Sequence, residues 1–205
     1  MELQHQVLDI LQTTCNYISG AQIARQLQVS RNSIWKAINS LKQQGYIIDA
    51  VRNRGYRLSA QSDVISPQAI SPLLQADGPI WSIQYLPHVR STNDTIRQLA
   101  EQHAPEGTVV IAGEQTNGKG RMNRTFYSPK HTGIYMSLLL RPKIPLQQAT
   151  FITTAAAVAA AQAIQSVTGA QVGIKWVNDL YYNNKKVCGI LTEAAIDIEG
   201  GGLRY

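Results

Sequence analysis

Three stretches near the start of the chain carry apolar residues at the spacing of a helix. Ser19 precedes the second stretch and Ser30 the third, and serine is favoured at the residue that caps a helix. The third stretch, residues 31–43, has an apolar stripe on one side and polar residues on the other. The pattern therefore predicts three short helices. Their apolar positions are Val7, Leu8 and Leu11, then Ile23 and Leu27, then Ile34, Ile38 and Leu41.

A predicted β-hairpin follows the third helix. Residues 46–51 and 56–58 have the composition of strands, and Asn53-Arg54-Gly55 between them is typical of a tight reversal. Two helices joined by a short turn form a helix-turn-helix, and the hairpin adds a wing. We therefore predict a winged helix-turn-helix domain over residues 1–60.

The composition changes after this predicted domain. Residues 61–79 are rich in proline, which predicts a linker with one short helix near residues 67–75. Residues 80–205 alternate strand-like and helical patterns, which is typical of an α+β domain with a mixed sheet. Its alanine-rich run, residues 151–164, is too short and too often interrupted by polar residues for a membrane span, so we predict a buried helix. The expected strands cover residues 80–86, 107–114, 133–140, 172–177, 180–182 and 186–193, and the expected helices residues 91–103 and 147–168.

The net charge of +6 is concentrated in two parts of the chain. Residues 1–60 contain seven Lys or Arg against three Asp or Glu. Residues 115–178 contain seven Lys or Arg and no acid. Like charges that cluster raise the local potential, so we predict two basic surfaces with two separate anionic partners. Ordinary solubilising charge is the alternative for either surface.

The first basic surface favours DNA as its partner. The start of the third helix carries residue types that hydrogen-bond base edges or phosphates in the major groove, and the predicted wing carries three arginines. A protein-interaction module with a solvated basic face is the alternative. The predicted DNA-contacting residues are Arg31, Asn32, Ser33, Trp35, Lys36, Arg52, Arg54 and Arg57.

Cysteine and histidine usage points away from a metal protein. Cys15 and Cys188 lie far apart, and the four histidines show no ligand spacing, so we expect reduced thiols and no metal site. The first ten residues are too polar for a signal peptide. We therefore expect a cytoplasmic protein with no membrane partner.

The second basic surface centres on the glycine loop, Gly113–Pro129, which contains three of the basic residues. The segment from Gly113 to Lys119 resembles a P-loop, but Gly120 replaces the required Ser or Thr. A P-loop also opens a helix, whereas Pro129 disfavours one here. We therefore reject a P-loop NTPase and predict an anion-binding loop of another kind.

The residues after this loop favour the activation of a carboxylate as an adenylate. Lys175 precedes Asn178-Asp179 on a predicted strand, and a lysine of this kind neutralises a carboxylate or phosphate as a point charge. From spacing alone, Asp179 is either functional or holds Lys175 or a turn. Cys188 lies in an apolar strand with no adjacent base, which disfavours it as a nucleophile.

Taken in order, these motifs resemble the biotin protein ligase family. With the winged helix, the chain resembles the bifunctional members that also repress the biotin operon. The segments that carry the resemblance are Ser91-Thr92-Asn93, the run from Gln115 through Gly118-Lys119-Gly120-Arg121 to Arg124, Phe126 and Ser128-Pro129, then Lys175-Trp176, Asn178-Asp179, Lys186, Gly189-Ile190-Leu191 and Glu193.

The resemblance implies a class II synthetase-like catalytic domain over residues 80–205, which makes biotinyl-5′-AMP from biotin and Mg²⁺-ATP. The biotinyl group then passes to a lysine of a biotin carboxyl carrier protein, and the adenylate-bound form dimerises on operator DNA. Catalytic roles would fall to Arg121, Lys186 and Asp179. The binding residues would be Ser91, Thr92, Asn93, Gln115, Gly118, Lys119, Gly120, Arg121, Arg124, Phe126, Lys186 and Gly189.

Departures from the family pattern qualify this expectation. Lys119 stands where the family has arginine, Met122-Asn123 replace Arg-Gly, Phe126 replaces tryptophan, and Val177 stands where proline often sits. The family also continues beyond the equivalent of Tyr205 into more of the catalytic domain and a small β-barrel. We therefore expect the chain as written to be a fragment with impaired or no turnover. The alternatives are a transcription factor that senses biotin or its adenylate without catalysis and, more remotely, a lipoate ligase.

Overall fold

The chain divides into two units, Met1–Gly78 and Pro79–Tyr205. The structure is a computed structural model, and it describes residues 3–14, 16–59, 62, 64–74, 78–142, 144–145, 148–196 and 203–204.

The first unit begins with three helices, as predicted. They are α1 (Leu3–Thr13), α2 (Gly20–Gln26) and α3 (Arg31–Gln43). Ser19 caps α2 through a reciprocal pair of hydrogen bonds with Gln22. At the start of α3, Ser30 Oγ accepts a hydrogen bond from the amide of Ser33. Each cap satisfies an amide that would otherwise lack a partner, so these serines set where the helices begin.

The apolar stripes predicted from the sequence meet in one core. Ile34, Ile38 and Leu41 of α3 are almost completely buried. Burying a side chain of this size contributes about 1.5–3 kcal/mol, so the stripe is the main support of α3. The buried residues of this core are Val7, Leu8, Leu11, Ile18, Ile23, Ala24, Ile34, Ala37, Ile38, Leu41, Tyr46 and Ile48.

A hairpin completes this core. Strands β1 (Ile48–Val51) and β2 (Gly55–Leu58) pair antiparallel, and Gly55 has a φ of 103°, which glycine adopts without steric cost. The backbone of Ile18 pairs with Tyr56 and adds a short third member to the hairpin. A short helix, α4 (Pro67–Ile70), and a 3₁₀ turn, Ser71–Leu73, lie within the segment predicted as a linker.

The second unit opens with a three-stranded mixed sheet. Its strands are β3 (Ser82–Leu86), β4 (Thr108–Ala112) and β5 (Tyr135–Leu138). Helix α5 (Thr92–Glu101) connects the parallel strands β3 and β4, and β5 pairs antiparallel with β4. All five residues of β4 are buried because this strand is central. The predicted α+β fold is confirmed.

A second sheet follows the long helix α6 (Ala149–Thr168). Its strands β6 (Gly173–Lys175), β7 (Asp179–Tyr182) and β8 (Lys185–Gly189) form an antiparallel meander, and Asn183 and Asn184 make the last turn with positive φ angles. Two short strands, β9 (Ala195–Ile196) and β10 (Leu203–Arg204), pair with each other.

Helix α6 forms where it was predicted, but the prediction that it is buried is wrong for this structure. Only Thr153 and Ala157 of the helix are buried, whereas Phe151 and Val167 are 65% and 85% exposed. The sheet β6–β8 covers only a narrow strip of the helix, so most of its apolar surface lies open. The length and composition of α6 would also allow it to cross a membrane, and these properties alone are weak evidence for that.

Candidate functional site

The glycine loop lies between β4 and β5 and contains no α-helix. Residues Arg121–Asn123 form one 3₁₀ turn, in which Met122 has a φ of 56°. The loop therefore does not itself open an α-helix, in agreement with the rejection of a P-loop. The side chains of Met122 and Tyr127 are 82% and 83% exposed, so the outer part of the loop faces solvent.

The inner part of the loop is closely packed around Gly118. A Cβ atom there would lie 2.4 Å from the carbonyl oxygen of Phe126 and 2.7 Å from Ser128 Oγ. The Phe126 amide donates to the Gly118 carbonyl at 2.8 Å, and the Gly120 amide donates to the Arg124 carbonyl at 2.7 Å. These contacts require glycine at position 118 and close the loop on itself.

A hydrogen-bonded chain joins the loop to the start of α5. The Thr92 amide and hydroxyl donate to Gln115 Oε1 at 2.8 and 3.1 Å, and Gln115 Nε2 donates to Ser128 Oγ at 2.9 Å. Ser137 Oγ of β5 lies 2.8 Å from Thr92 Oγ1 and 2.7 Å from Asn93 Oδ1. Helix, loop and strand thus share one polar network.

The side-chain hydroxyl of Ser91, the residue before Thr92, has no hydrogen-bond partner among the described residues. Ser91 is 1% exposed. Ser91 precedes α5 in the position of a cap, yet its side chain makes no capping bond. A buried hydroxyl without a partner costs about 1–3 kcal/mol, so this atom is suited to bind a polar atom of a ligand.

Three cations of the predicted site have protein partners. Lys119 is ion-paired with Asp94 of α5, Lys186 Nζ lies 2.8 Å from Asp179 Oδ1, and Arg121 Nη1 donates to Asn178 Oδ1 at 2.9 Å. The partner of Arg121 is neutral, so its charge is not cancelled. The side chain of Arg124 is exposed.

The structure shows which lysine the Asp179 carboxylate contacts. Asp179 stands opposite Lys175 in the strand register, but its carboxylate pairs with Lys186 and also accepts from Asn178 Nδ2 at 3.0 Å. Lys175 Nζ instead lies 5.4 Å from the centre of the Tyr181 ring. Asp179 therefore orients Lys186 rather than Lys175.

Gly189 makes room for Lys186. A Cβ atom at position 189 would lie 2.9 Å from Lys186 Cε and 3.1 Å from Phe126 Cε2. Lys186 Nζ in turn lies 5.8 Å from the centre of the Phe126 ring. The missing side chain of Gly189 thus allows Phe126 and Lys186 to approach each other.

Cys188 is poorly suited to act as a nucleophile. Burial raises the pKa of its thiol, and although Lys186 acts in the opposite direction, the pKa remains above its usual value. The thiolate is therefore scarce near neutral pH. Cys15 lies outside the described residues. The part of the chain that the structure describes contains no group of three or more His, Cys, Asp or Glu residues able to hold a metal ion.

The first unit presents a separate polar face on α3. Arg31, Asn32 and Lys36 are exposed, and Trp35 is 56% exposed although it is apolar. Ser33 lies between exposed and buried, and its hydroxyl is 2.8 Å from that of Ser30. Most of the predicted DNA-contacting residues of α3 are therefore accessible.

The three arginines of the hairpin differ in their surroundings. Arg52 and Arg54 are exposed and Arg57 is half-buried, and the guanidinium carbons of Arg54 and Arg57 both lie 4.7 Å from the centre of the Tyr17 ring. Arg57 also pairs with Asp49 at 2.9 Å, and this hydrogen bond raises the pKa of Arg57 above its usual value. Two of the three arginines are therefore held in place by the protein.

The structure brings the predicted ligand-site residues together from four segments of the chain. Sequence reasoning missed Asp94, Ser137 and Tyr17. Asp94 directly follows Ser91-Thr92-Asn93, so its position beside that motif could have indicated an acidic partner for a cation of the site. Ser137 and Tyr17 carry no local signal, because their roles arise only from strand pairing and from ring stacking.

Comparison with known proteins assigns both units to families. Residues 85–200 match the Biotin/lipoate A/B protein ligase family, and residues 3–57 match an HTH domain. The first match covers more than half of the chain. The chain therefore belongs to the Biotin/lipoate A/B protein ligase family, as the resemblance indicated, and carries an N-terminal helix-turn-helix domain.

The chain is similar to proteins named bifunctional ligase/repressor BirA. It is 43% identical to that of Bacillus spizizenii over 89% of this chain and 56% of the relative, and 44% identical to that of Bacillus subtilis over 86% and 54%. Identity to the protein of Escherichia coli is 31% over 85% of this chain and 53% of the relative. The chain thus spans about half the length of the curated relatives that it matches.

Proposed function

We propose that the second unit binds biotin and ATP, forms biotinyl-5′-AMP, and passes the biotinyl group to a lysine of a biotin carboxyl carrier protein. The observation that supports this proposal is a set of contacts among the predicted site residues and their neighbours: the Thr92 amide donates to Gln115, Arg121 donates to Asn178, and Lys186 pairs with the adjacent Asp179. It unites polar groups suited to a neutral ring with cations suited to a carboxylate and a phosphate.

The polar network is suited to one end of biotin. The ureido ring offers one carbonyl acceptor and two N–H donors, and the buried Ser91 hydroxyl, which has no partner among the described residues, would pair with one of these groups. Thr92 and Asn93 are held by Gln115 and Ser137, so a ligand meets groups that are already oriented. Little ordering is then needed on binding, which favours affinity.

The cations are suited to the other end. In the proposed reaction a biotin carboxylate oxygen attacks the α-phosphorus of Mg²⁺-ATP, and the bond to the leaving pyrophosphate breaks. Arg121 and Lys186 would reduce the repulsion between the two anions and stabilise the charge that builds on the phosphoryl oxygens. Asp179 would hold Lys186 in position. The amine of the carrier lysine then attacks the acyl carbon, AMP leaves, and the amine loses a proton to solvent.

The first unit is proposed to bind operator DNA as a winged helix. Exposed Arg31, Asn32 and Lys36 would enter the major groove, and Arg52 would reach the phosphate backbone. By the same proposal the adenylate-bound form dimerises and represses transcription in the cytoplasm. Occupancy of the ligand site and DNA binding would then be coupled.

Calorimetric titration of the chain with biotin and with lipoate tests the ligand site. We expect biotin to bind at least tenfold more tightly than lipoate, because only biotin carries a ureido ring. Equal binding, or tighter binding of lipoate, would contradict the assignment to biotin. A parallel assay for biotinyl-adenylate, with ATP present, separates ligase chemistry from biotin sensing without catalysis.

Fluorescence anisotropy with a labelled DNA duplex tests the repressor function. We expect binding that weakens steeply with salt and that strengthens when biotin and ATP are added together. Binding that ignores both salt and ligand would refute the coupled repressor.

A further inference from the structure

The ion pair between Lys119 and Asp94 joins the glycine loop to α5. Lys119 belongs to the packed inner part of the loop, and Asp94 lies in the first turn of the helix. Their side chains are only 32% and 27% exposed, so water screens this pair less than a surface pair. Arg90 lies 3.8 Å from the same carboxylate and is 74% exposed.

The helix that carries Asp94 also carries the ligand-facing residues Thr92 and Asn93. Asn93 is fixed by Glu193, which accepts from Asn93 Nδ2 at 3.1 Å and pairs with Arg97 at the same distance. Asp94 therefore projects from a well-anchored turn. A loop that is ion-paired to this turn is therefore held at a fixed position relative to the polar network of Thr92, Asn93 and Gln115.

The two parts of the loop are held to different extents. The inner part is fixed by the contacts of Gly118, by Gln115 and by Lys119. The outer part, around Met122, is exposed, and among the described residues its side-chain tie to the rest of the unit is the bond from Arg121 to Asn178. The ion pair of Lys119 thus marks the boundary between the two parts.

We infer that Asp94 is a positioning residue that latches the glycine loop onto α5 through Lys119 before any ligand is bound. The latch pre-organises the inner part of the loop and limits the freedom of the adjoining outer part, residues 121–124. This inference rests on the proposed biotin site only for its effect on ligand affinity. The latch itself is a property of the chain without ligand.

Limited proteolysis with trypsin measures the latch directly. In the ligand-free chain, Asp94→Asn should speed cleavage after Arg121 and Arg124 about fivefold, a loss at the upper end for a partly exposed ion pair. Cleavage after Arg52, in the other unit, serves as the internal reference. Arg90→Ala is the matched control, because it removes a charge beside Asp94 but leaves the latch, and it should change cleavage less than twofold.

A charge reversal separates the latch from general loss of stability. In the Arg90→Ala background, Asp94→Lys with Lys119→Asp should restore the slow cleavage that either single change abolishes. Biotin affinity measured by calorimetry should fall about fivefold in Asp94→Asn. The inference is overturned if the cleavage rate is unchanged in Asp94→Asn, or if the reversed pair does not restore the slow cleavage. If the unaltered chain binds no biotin, the proposed function fails, while the cleavage rates still decide the latch.

Discussion

In the first unit Arg31 and Lys36 stand exposed on helix α3, whereas in the second unit Lys119 and Lys186 are each paired with a carboxylate. A long polyanion is attracted by accessible charge over a wide surface, and exact placement of each cation matters little to that attraction. A small ligand requires cations at defined positions, and a carboxylate partner fixes a lysine there. Basic side chains are therefore exposed on α3 in the first unit, whereas Lys119 and Lys186 in the second unit are fixed by carboxylate partners.

The hairpin of the first unit contains both kinds of basic residue, exposed ones and ones with a protein partner. Arg52 is exposed, but Arg54 and Arg57 stack on Tyr17, and Arg57 also pairs with Asp49. A basic residue in a predicted wing is thus not automatically a contact for DNA. We therefore propose Arg52 as a contact for DNA and Arg57 mainly as a support of the fold.

The largest expected effect comes from removing a held cation of the second unit. Lys186→Ala should weaken biotin binding and adenylate formation about 10- to 100-fold, because a hydrogen bond to a charged group contributes about 1.5–3 kcal/mol. Lys185→Ala removes the same charge from the neighbouring position and should change neither by more than about twofold, as is usual for an exposed surface charge. Unchanged affinity and adenylation in Lys186→Ala would show that the site assignment is wrong.

A smaller effect is expected when the packed part of the loop is forced open. In Gly118→Ala the added methyl group would lie 2.4 Å from a backbone oxygen, and overpacking of this kind costs about 1–3 kcal/mol. Biotin affinity should fall about tenfold. Gly173→Ala is the control, since the nearest atom to its added Cβ lies 4.0 Å away. Equal affinities in both variants would mean that the loop packing does not support the site.

The third prediction contrasts two arginines of the same hairpin. Arg52→Ala should lower the slope of log affinity against log salt by about 0.9, the value for one lost phosphate contact on duplex DNA. Arg57→Ala should leave the slope unchanged and instead lower the melting temperature of the chain, because Arg57 is engaged with Asp49 and Tyr17. If Arg57→Ala lowered the salt slope and Arg52→Ala lowered the melting temperature, the distinction between an arginine that contacts DNA and one that supports the fold would be refuted.

The smallest effect concerns Cys188. Because burial raises the pKa of this thiol, its thiolate fraction at pH 8 is lower than that of an exposed cysteine. In a Cys15→Ser background, the rate of alkylation of Cys188 by iodoacetamide at pH 8 should therefore be lower than that of free cysteine. The rate should rise as the pH is raised above 8, because the thiolate fraction rises. Lys186 acts to lower this pKa, so Lys186→Ala should slow the reaction again. A rate equal to that of free cysteine would contradict the burial.

Much of the fold follows from local patterns. Ser19 and Ser30 begin their helices where expected, because a cap depends on residues only three positions away. Gly55 likewise makes its turn through its own backbone freedom. Helix α6 shows the limit of this reasoning. Alanine content predicts that a helix forms, but burial depends on how much of the fold packs against it.

The charge pattern shows the same limit for the site. The acid-free stretch, residues 115–178, indicates a strongly basic surface, yet Asp94 and Asp179, which lie outside it, neutralise Lys119 and Lys186. A count along the chain cannot detect this compensation. Folding brings together residues that are distant in the sequence.

The sequence by itself determined the helix-turn-helix, the hairpin, the glycine loop and the motifs of a biotin protein ligase, because caps, turns and motif spacings are local properties. Only the tertiary structure decided which partner each side chain meets. Asn93 bonds to Glu193 across 100 positions, and Arg121 bonds to Asn178 across 57. The physical reason is that hydrogen bonds and ion pairs act over a few ångströms of space, whatever their separation along the chain.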